Sequence, residues 1–285
     1  MIEVGFGRAL FAWATNPTCA GARTGPWEYF VAACLQLAMC MVGSGQGYAT
    51  PLDEAAERYR PYMIESIGQA LSGARDIRQQ IAAGNLAGAR KAWISARAGW
   101  ERSEIFTAGF VPELDEKIDA WPDATAGFHA IEAKLFGANR LDAASETEAL
   151  VGHLNDLHLK LRDMRLTPQG LLNGTVRLAY EVGESKADGG ESRISGTSLD
   201  DMRNNVVGIQ FAYRTIFAVA LESADRKLAE TVAGKIEELD KLLVVRDLQH
   251  VDIPGLRRTT EELVVALQGA ASKLGLGRPT LEVSR

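Results

Sequence analysis

The chain has 285 residues, of which 46% are hydrophobic and 24% charged, and its formal net charge at pH 7 is −6. This length supports one large domain or two small ones, and the composition is that of an ordinary globular protein. The acidic balance argues against nucleic acid as the main partner, because proteins that bind nucleic acid carry a basic surface. It is compatible with a cation as the ligand.

An apolar run, FVAACLQLAMCMV at residues 30–42, dominates the N-terminal region. The run is too short to cross a bilayer as a helix. It fits the apolar core of a secretory signal peptide, with Arg23 before it and the small-x-Ala sequence Gly47-Tyr48-Ala49 after it. The alternatives are a buried N-terminal helix and a lipoprotein anchor at Cys34.

We therefore predict a signal peptide or N-terminal extension over residues 1–49, and a folded, periplasmic domain over 50–285. All three cysteines (Cys19, Cys34 and Cys40) precede this boundary. The mature domain would thus contain no thiol, and a metal site in it would be built from His, Asp and Glu. No other apolar run approaches membrane-spanning length, so we expect the mature domain to be soluble and not membrane-spanning.

The mature region shows the apolar spacing of three and four residues that is typical of helices, and no alternation typical of strands. A glycine-rich loop at 187–197 interrupts this pattern. The fold class that this pattern predicts is all-α, an up-down helical bundle with short connections. Helices are predicted over 52–83, over 86 to about 110, from about 125, from 142–148, over 168 to about 182, from 198, over 224–245 and over 256–274.

The third predicted helix carries a histidine and a carboxylate three residues apart, in the sequence Gly-Phe-His-Ala-Ile-Glu at 127–132. Residues i and i+3 share one face of a helix, so His129 and Glu132 can point at one metal ion. They would supply one nitrogen and one hard oxygen ligand, which suits iron or zinc. The plainer alternative is an apolar helix with one polar edge.

The second predicted helix places aromatic and charged residues on the same side, which is unusual for a simple core face. Its members there are Trp93, Arg97, Trp100, Glu101 and Glu104. The alternative interpretation is an aromatic core stripe with charges at its edge.

The motif at 127–132, with the following Leu135-Phe136-Gly137, resembles the Gly-x-His-x-x-Glu signature of the imelysin family. That family includes insulin-cleaving imelysins and the EfeO/EfeM-type periplasmic iron-import proteins. Residues 96–104 resemble the family's Ala-Arg-x-x-aromatic…Glu segment, and residues 118–122 resemble its Asn-Ala-Trp-Pro stretch, with Asp in place of Asn. Residues 187–197 resemble an EfeO-type run, with Gly196 where many such proteins have His.

The resemblance implies two four-helix-bundle halves packed together, in the short form without a cupredoxin domain. It implies a metal-binding protein of iron uptake, with an inner-membrane iron permease and a periplasmic protein as partners. One nitrogen and several carboxylate oxygens suit iron, and tolerate zinc or copper. The ligands that it implies are His129, Glu132, Glu104 and Glu181, with Glu101, Asp115 and Asp119 as further candidates.

Two other functions stay open at this point. The first is an imelysin-type metallopeptidase using the same residues. Against it, Ala133 occupies the position where both the His-Glu-x-x-His motif and its inverted form would need a second histidine. The second is a module that binds acidic polysaccharide. We expect a binding protein rather than an enzyme.

Overall fold

The structure is a computed structural model, and it describes residues 50–121 and 125–281. The predicted signal region and its three cysteines lie outside the described residues, so their interpretation stays a prediction. Within the described ranges all regular secondary structure is helical, which confirms the all-α prediction. The α-helices are α1 (Pro51–Ala82), α2 (Leu86–Phe110), α3 (Pro112–Ile118), α4 (Gly127–Glu132), α5 (Ala144–Lys160), α6 (Pro168–Gly183), α7 (Ser198–Ala212), α8 (Ala218–Ala224), α9 (Arg226–Leu242) and α10 (Ile253–Lys273).

The helices form two packed groups that contact each other mainly through one helix. In the first group α1 packs on α2 and α5, and the short α3 and α4 pack against α5. In the second group α6 packs on α10 and α7, and α9 packs on α10. Helix α2 joins the groups because it also contacts α6 and α7. This is the up-down bundle in two halves that the sequence predicts.

Two boundaries differ from the sequence prediction, each for a local reason. The stretch before Asp119 was predicted as a connection, but it forms α3, with Pro112 in its first turn and acidic residues that favour the helix N-terminus. Helix α10 begins at Ile253 rather than 256, because the Asp252 side chain accepts a hydrogen bond from the Gly255 amide. Helix α7 begins at Ser198, the residue from which it was predicted, and Thr197 is its N-cap.

Helices α7 and α8 are joined by a π-helical turn, Tyr213–Phe217, into one stretch, Ser198–Ala224. This is the one helix in the described residues that is long and apolar enough to cross a membrane. The same length and composition occur in core helices of bundles. Ile209 and Leu221 within it are fully buried, and so is Met202, as expected of a core helix.

Helices α2 and α6 approach each other closely at Gly174. A Cβ at this position would lie 1.6 Å from the carbonyl oxygen of Ile105. The absence of a side chain therefore lets the two backbones touch. In the same contact Arg177 donates a hydrogen bond of 2.8 Å to the carbonyl oxygen of Glu104. The close approach thus fixes the acidic part of α2 against α6.

We expect Gly174→Ala to lower the free energy of unfolding by about 3 kcal/mol, the upper end for overpacked side chains, because the added methyl group meets rigid backbone. The matched control is Gly152→Ala in α5, where an added Cβ would have nothing within 4 Å. That control should gain up to about 1 kcal/mol from helix propensity. Urea unfolding of both variants measures this difference. Equal stabilities would show that α2 and α6 are not in contact here.

Candidate metal site

Gly127 allows the signature helix α4 to begin directly against the end of α3. Its φ is +61°, and a Cβ there would lie 2.0 Å from the carbonyl oxygen of Ile118. Only glycine accommodates both the positive φ and the close approach without strain. The consequence is that His129, two residues into the helix, lies beside Asp119, the residue that follows α3.

His129 is 1% exposed, and its two ring nitrogens have different environments. Its Nδ1 lies 3.0 Å from Glu132 Oε2. The other oxygen of Glu132 accepts hydrogen bonds from the backbone nitrogen of Ser195 at 2.7 Å and from its hydroxyl at 2.6 Å. Both oxygens of Glu132 are therefore already engaged. The sequence predicts that His129 and Glu132 point at a common ion, whereas here they contact each other.

The Nε2 atom of His129 faces carboxylates but has no well-directed hydrogen bond in the described residues. Asp119 Oδ1 lies 3.2 Å from Nε2, off the direction of an N–H bond. Asp119 is held in place by an ion pair with Arg97 and by a hydrogen bond of 2.6 Å from Trp100 Nε1. His129, Asp119 and Glu191 each offer a ligand atom within 4.8 Å of the others.

A second group of possible ligand atoms overlaps the first. It consists of Glu101, Glu104, Asp119 and Glu191, again with ligand atoms within 4.8 Å of one another. Asp119 and Glu191 belong to both groups. Glu104, which the sequence predicts to share a site with His129, groups instead with Glu101. Asn205 on α7 supports this second group, since its Nδ2 lies 2.7 Å from both Glu101 Oε2 and Glu104 Oε2.

Two buried cations lie within this acidic cluster. Arg97, 1% exposed, contacts Glu101 and Asp119, and its Nη2 is 3.4 Å from Glu191 Oε1. It also lies over the ring of Phe128, 5.4 Å from the centroid. The second cation is Lys186, also 1% exposed, which follows α6. Its Nζ lies 2.7 Å from Glu101 Oε2 and 3.0 Å from Glu191 Oε2.

The carboxylates outnumber these two cations. If all five were ionised, their negative charge would exceed the positive charge of Arg97 and Lys186 by three, and a protonated His129 would reduce that excess to two. Such an excess is unfavourable in a buried site unless protons or a cation compensate it. The five are Glu101, Glu104, Asp119, Glu191 and Asp201.

The pKa values of these groups follow from burial and neighbouring charge. Burial raises the pKa of Asp201 to about 7, and burial together with the charge of Glu101 raises that of Glu104 well above its usual value. Burial acts in the same direction on Asp119, but the charges of Arg97 and His129 outweigh it and lower its pKa. Burial disfavours charge on His129, yet the Asp119 charge and the contacts with both carboxylates raise its pKa to about 9.

The other two predicted ligands lie beside the cluster. Glu181 is held by Arg177, whose Nη1 lies 2.7 and 2.9 Å from its two carboxylate oxygens. Asp115 is half-buried, and its burial raises its pKa to about 6. Both line a cavity of about 180 Å³ that also reaches Glu104 and Lys186. Glu181 and Asp115 thus lie next to the two ligand groups but belong to neither.

Trp121 covers the His129 side of the cluster. Its ring centroid is 5.2 Å from that of His129, and the side chain is 43% exposed. Beside it lies a second cavity, of about 290 Å³, which reaches His129, Glu132 and Glu191 and has Arg193 at its edge. The candidate ligands are therefore buried but adjoin a cavity.

Comparisons with known proteins show the family and the fold of this chain. The imelysin family model matches residues 55–126 and 123–271. The chain belongs to the imelysin family. Two relatives from Staphylococcus aureus, strains MRSA252 and NCTC 8325, are each called an Efem/EfeO family lipoprotein. They are 31% and 30% identical to this chain, and each alignment covers 69% of this chain and 72% of the relative.

The fold of this imelysin-family chain is also found in a crystal structure from Parabacteroides distasonis, described as that of an iron-regulated protein A precursor. The two superpose with a TM-score of 0.64 at 18% sequence identity, over 80% of this chain and 97% of the other. At that identity the likeness shows the fold alone.

Some residues of the imelysin-family site were not singled out from the sequence. Glu191 lies within the glycine-rich loop at 187–197 and Asp201 lies in the first turn of α7, and neither was predicted as a site residue. Lys186 and Asn205 were not singled out at all. The available signal was the loop itself, because a glycine-rich segment with Glu191 and Ser195 that resembles a family motif is a candidate for contact with the site.

Proposed function

We propose that this imelysin-family protein binds an iron ion outside the cytoplasm and acts in iron uptake. The ligands in this proposal are His129 Nε2, Asp119 and Glu191. The observation that carries it is the buried Nε2, which faces Asp119 at 3.2 Å without a well-directed hydrogen bond. Buried polar atoms of native proteins nearly always have a well-directed hydrogen bond, so a buried nitrogen that lacks one and faces carboxylates is a suitable ligand for a cation.

The donor set supports iron among the candidate metals. One imidazole nitrogen with carboxylate oxygens suits iron, and accepts zinc or copper. In this proposal Glu132 orients the imidazole through Nδ1, as carboxylates commonly do for metal-bound histidines. Ser195 in turn fixes Glu132. In this proposal His129 binds the ion, and Glu132 positions the imidazole ring.

Localisation and partners follow from the family rather than from the site. The Staphylococcus aureus relatives are called lipoproteins, which supports export, and their Efem/EfeO name supports a role in iron uptake. We infer a periplasmic location for this chain. Delivery of the ion to an inner-membrane permease, together with a periplasmic partner, belongs to the same proposal.

The direct test is calorimetric titration of tag-free protein with ferrous iron under anaerobic conditions, alongside thermal melts. The protein should bind iron and melt at a higher temperature with it, because a ligand that binds only the folded state stabilises that state. Absence of both binding and stabilisation would refute the proposal. Hydrolysis of a protein substrate that chelator abolishes would favour the peptidase, and metal-independent binding of an acidic glycan would favour the polysaccharide module.

Iron affinity should rise with pH. In the metal-free protein His129 holds its proton up to a pKa of about 9. An ion that takes Nε2 must displace that proton, so protons compete with iron at lower pH. We expect affinity for ferrous iron to increase at least about tenfold per unit between about pH 6 and 8. Titrations in buffers of different ionisation enthalpy should show at least one proton released. Affinity that is constant over this range would contradict the use of His129.

A further inference from the structure

The ammonium group of Lys186 is surrounded by three carboxylates. Its Nζ lies 2.7 Å from Glu101 Oε2, 3.0 Å from Glu104 Oε2 and 3.0 Å from Glu191 Oε2. The Lys186 side chain is buried, so water does not screen these contacts. The Lys186 ammonium group therefore neutralises the same carboxylate oxygens that a metal ion in its place would bind.

The two overlapping ligand groups have the arrangement of a site with two cation positions. Asp119 and Glu191 contribute to both groups, while His129 belongs to one and Glu101 and Glu104 to the other. Two-metal sites in proteins hold their ions about 3.5–4 Å apart, and carboxylate-rich examples occur inside helical bundles. The two positions differ in one respect here. At the first position His129 Nε2 faces Asp119 without a well-directed hydrogen bond, whereas the position at Glu101 already holds the Lys186 ammonium group.

We propose that Lys186 is the resident cation of the second position and that it limits this protein to one metal ion. This inference rests on the metal site proposed above. A metal bound to Glu101 and Glu104 would lie about 2.0–2.3 Å from their oxygens, in the space that Nζ now occupies. Repulsion between the ammonium charge and a metal cation would add to the steric conflict. Lys186 thus sets how many ions bind, and the imidazole sets where the first one binds.

The test compares metal stoichiometry in the wild type and in Lys186→Ala. After loading with ferrous iron and gel filtration, metal analysis should find one ion per chain in the wild type and two in the variant. With manganese(II) as a spectroscopic probe, the variant alone should show the exchange-coupled electron paramagnetic resonance signal of two neighbouring ions. The matched control is Lys235→Ala, which removes a surface ammonium lying between Glu238 and Glu262 and should still bind one ion.

Lys186→Ala leaves the carboxylates with one cation fewer and can therefore fail to fold. The double variant Lys186→Ala, Glu104→Gln removes a carboxyl group together with the ammonium group and keeps three carboxylates in the second position, so it should fold and bind two ions. Two ions in the wild type, or one in a folded variant, would overturn the role of Lys186 and leave the metal site standing. No metal on the wild type would overturn the metal site and this inference together.

Discussion

Replacing Arg97 with methionine should destabilise the metal-free protein by about 3–5 kcal/mol, the usual cost of removing one partner from a buried ion pair. The Arg97 guanidinium is 1% exposed and contacts four of the clustered carboxylates. Methionine fills a similar volume without a charge. The decrease in the free energy of unfolding therefore measures the cost of leaving the carboxylates without the positive charge of Arg97. Urea unfolding of the metal-free protein at neutral pH measures it.

The matched control is Arg78→Met, since Arg78 pairs with Glu148 at 2.9 Å on the surface, where both side chains are largely exposed. Exposed ion pairs contribute about 0–1 kcal/mol, so this variant should be nearly as stable as the wild type. Saturating metal should recover part of the loss in Arg97→Met, because the ion supplies positive charge to the same carboxylates. Equal stability of the two variants would show that the buried cluster does not depend on its arginine.

Replacing His129 with alanine should weaken iron binding by at least about 100-fold while leaving a folded helical bundle. The loss of an outer partner of a metal ligand typically costs about 10–100-fold in affinity, and loss of a ligand itself should cost more. Glu132→Gln should fall between this variant and the wild type, because Glu132 contacts Nδ1 and only orients the ring. The double change His129→Ala, Glu132→Ala should abolish iron binding with the helical circular dichroism signal retained.

The control for His129 is His250→Ala. His250 Nδ1 lies 2.6 Å from Asp247 Oδ1 at the same three-residue spacing, but that pair is exposed. Its removal should leave iron affinity unchanged. Calorimetric titration of these four variants and the wild type with ferrous iron makes the comparison. Equal affinity in His129→Ala and the wild type would end the assignment of the signature histidine to the metal.

The helices could be predicted from the sequence because each one buries a single face. Apolar residues therefore recur every three or four positions along it. That period, with Thr167-Pro168 as a helix start and Gly84-Asn85 as a stop, locates most of the bundle. Helix α3 was missed because seven residues are too few to establish a period. This omission affects the prediction of the site, because Asp119 directly follows α3 and is positioned by it.

The composition of the site was only partly predictable, since it depends on tertiary convergence. A spacing of three residues puts His129 and Glu132 on one face, but it does not say whether they meet an ion or each other. The answer depends on Ser195, which arrives from a loop far along the chain. Glu191 and Lys186 also reach the cluster through tertiary contacts, so the helical periodicity does not predict them, and only the glycine-rich loop was a signal for Glu191.

Anomalous X-ray diffraction at the iron edge, from crystals loaded with iron, tests the central claim most directly. The account predicts one peak per chain, about 2.0–2.3 Å from His129 Nε2 and from oxygens of Asp119 and Glu191. The Lys186 ammonium should remain between Glu101 and Glu104. A peak elsewhere on the chain, or an iron-loaded crystal with His129 Nε2 unbound, would contradict it.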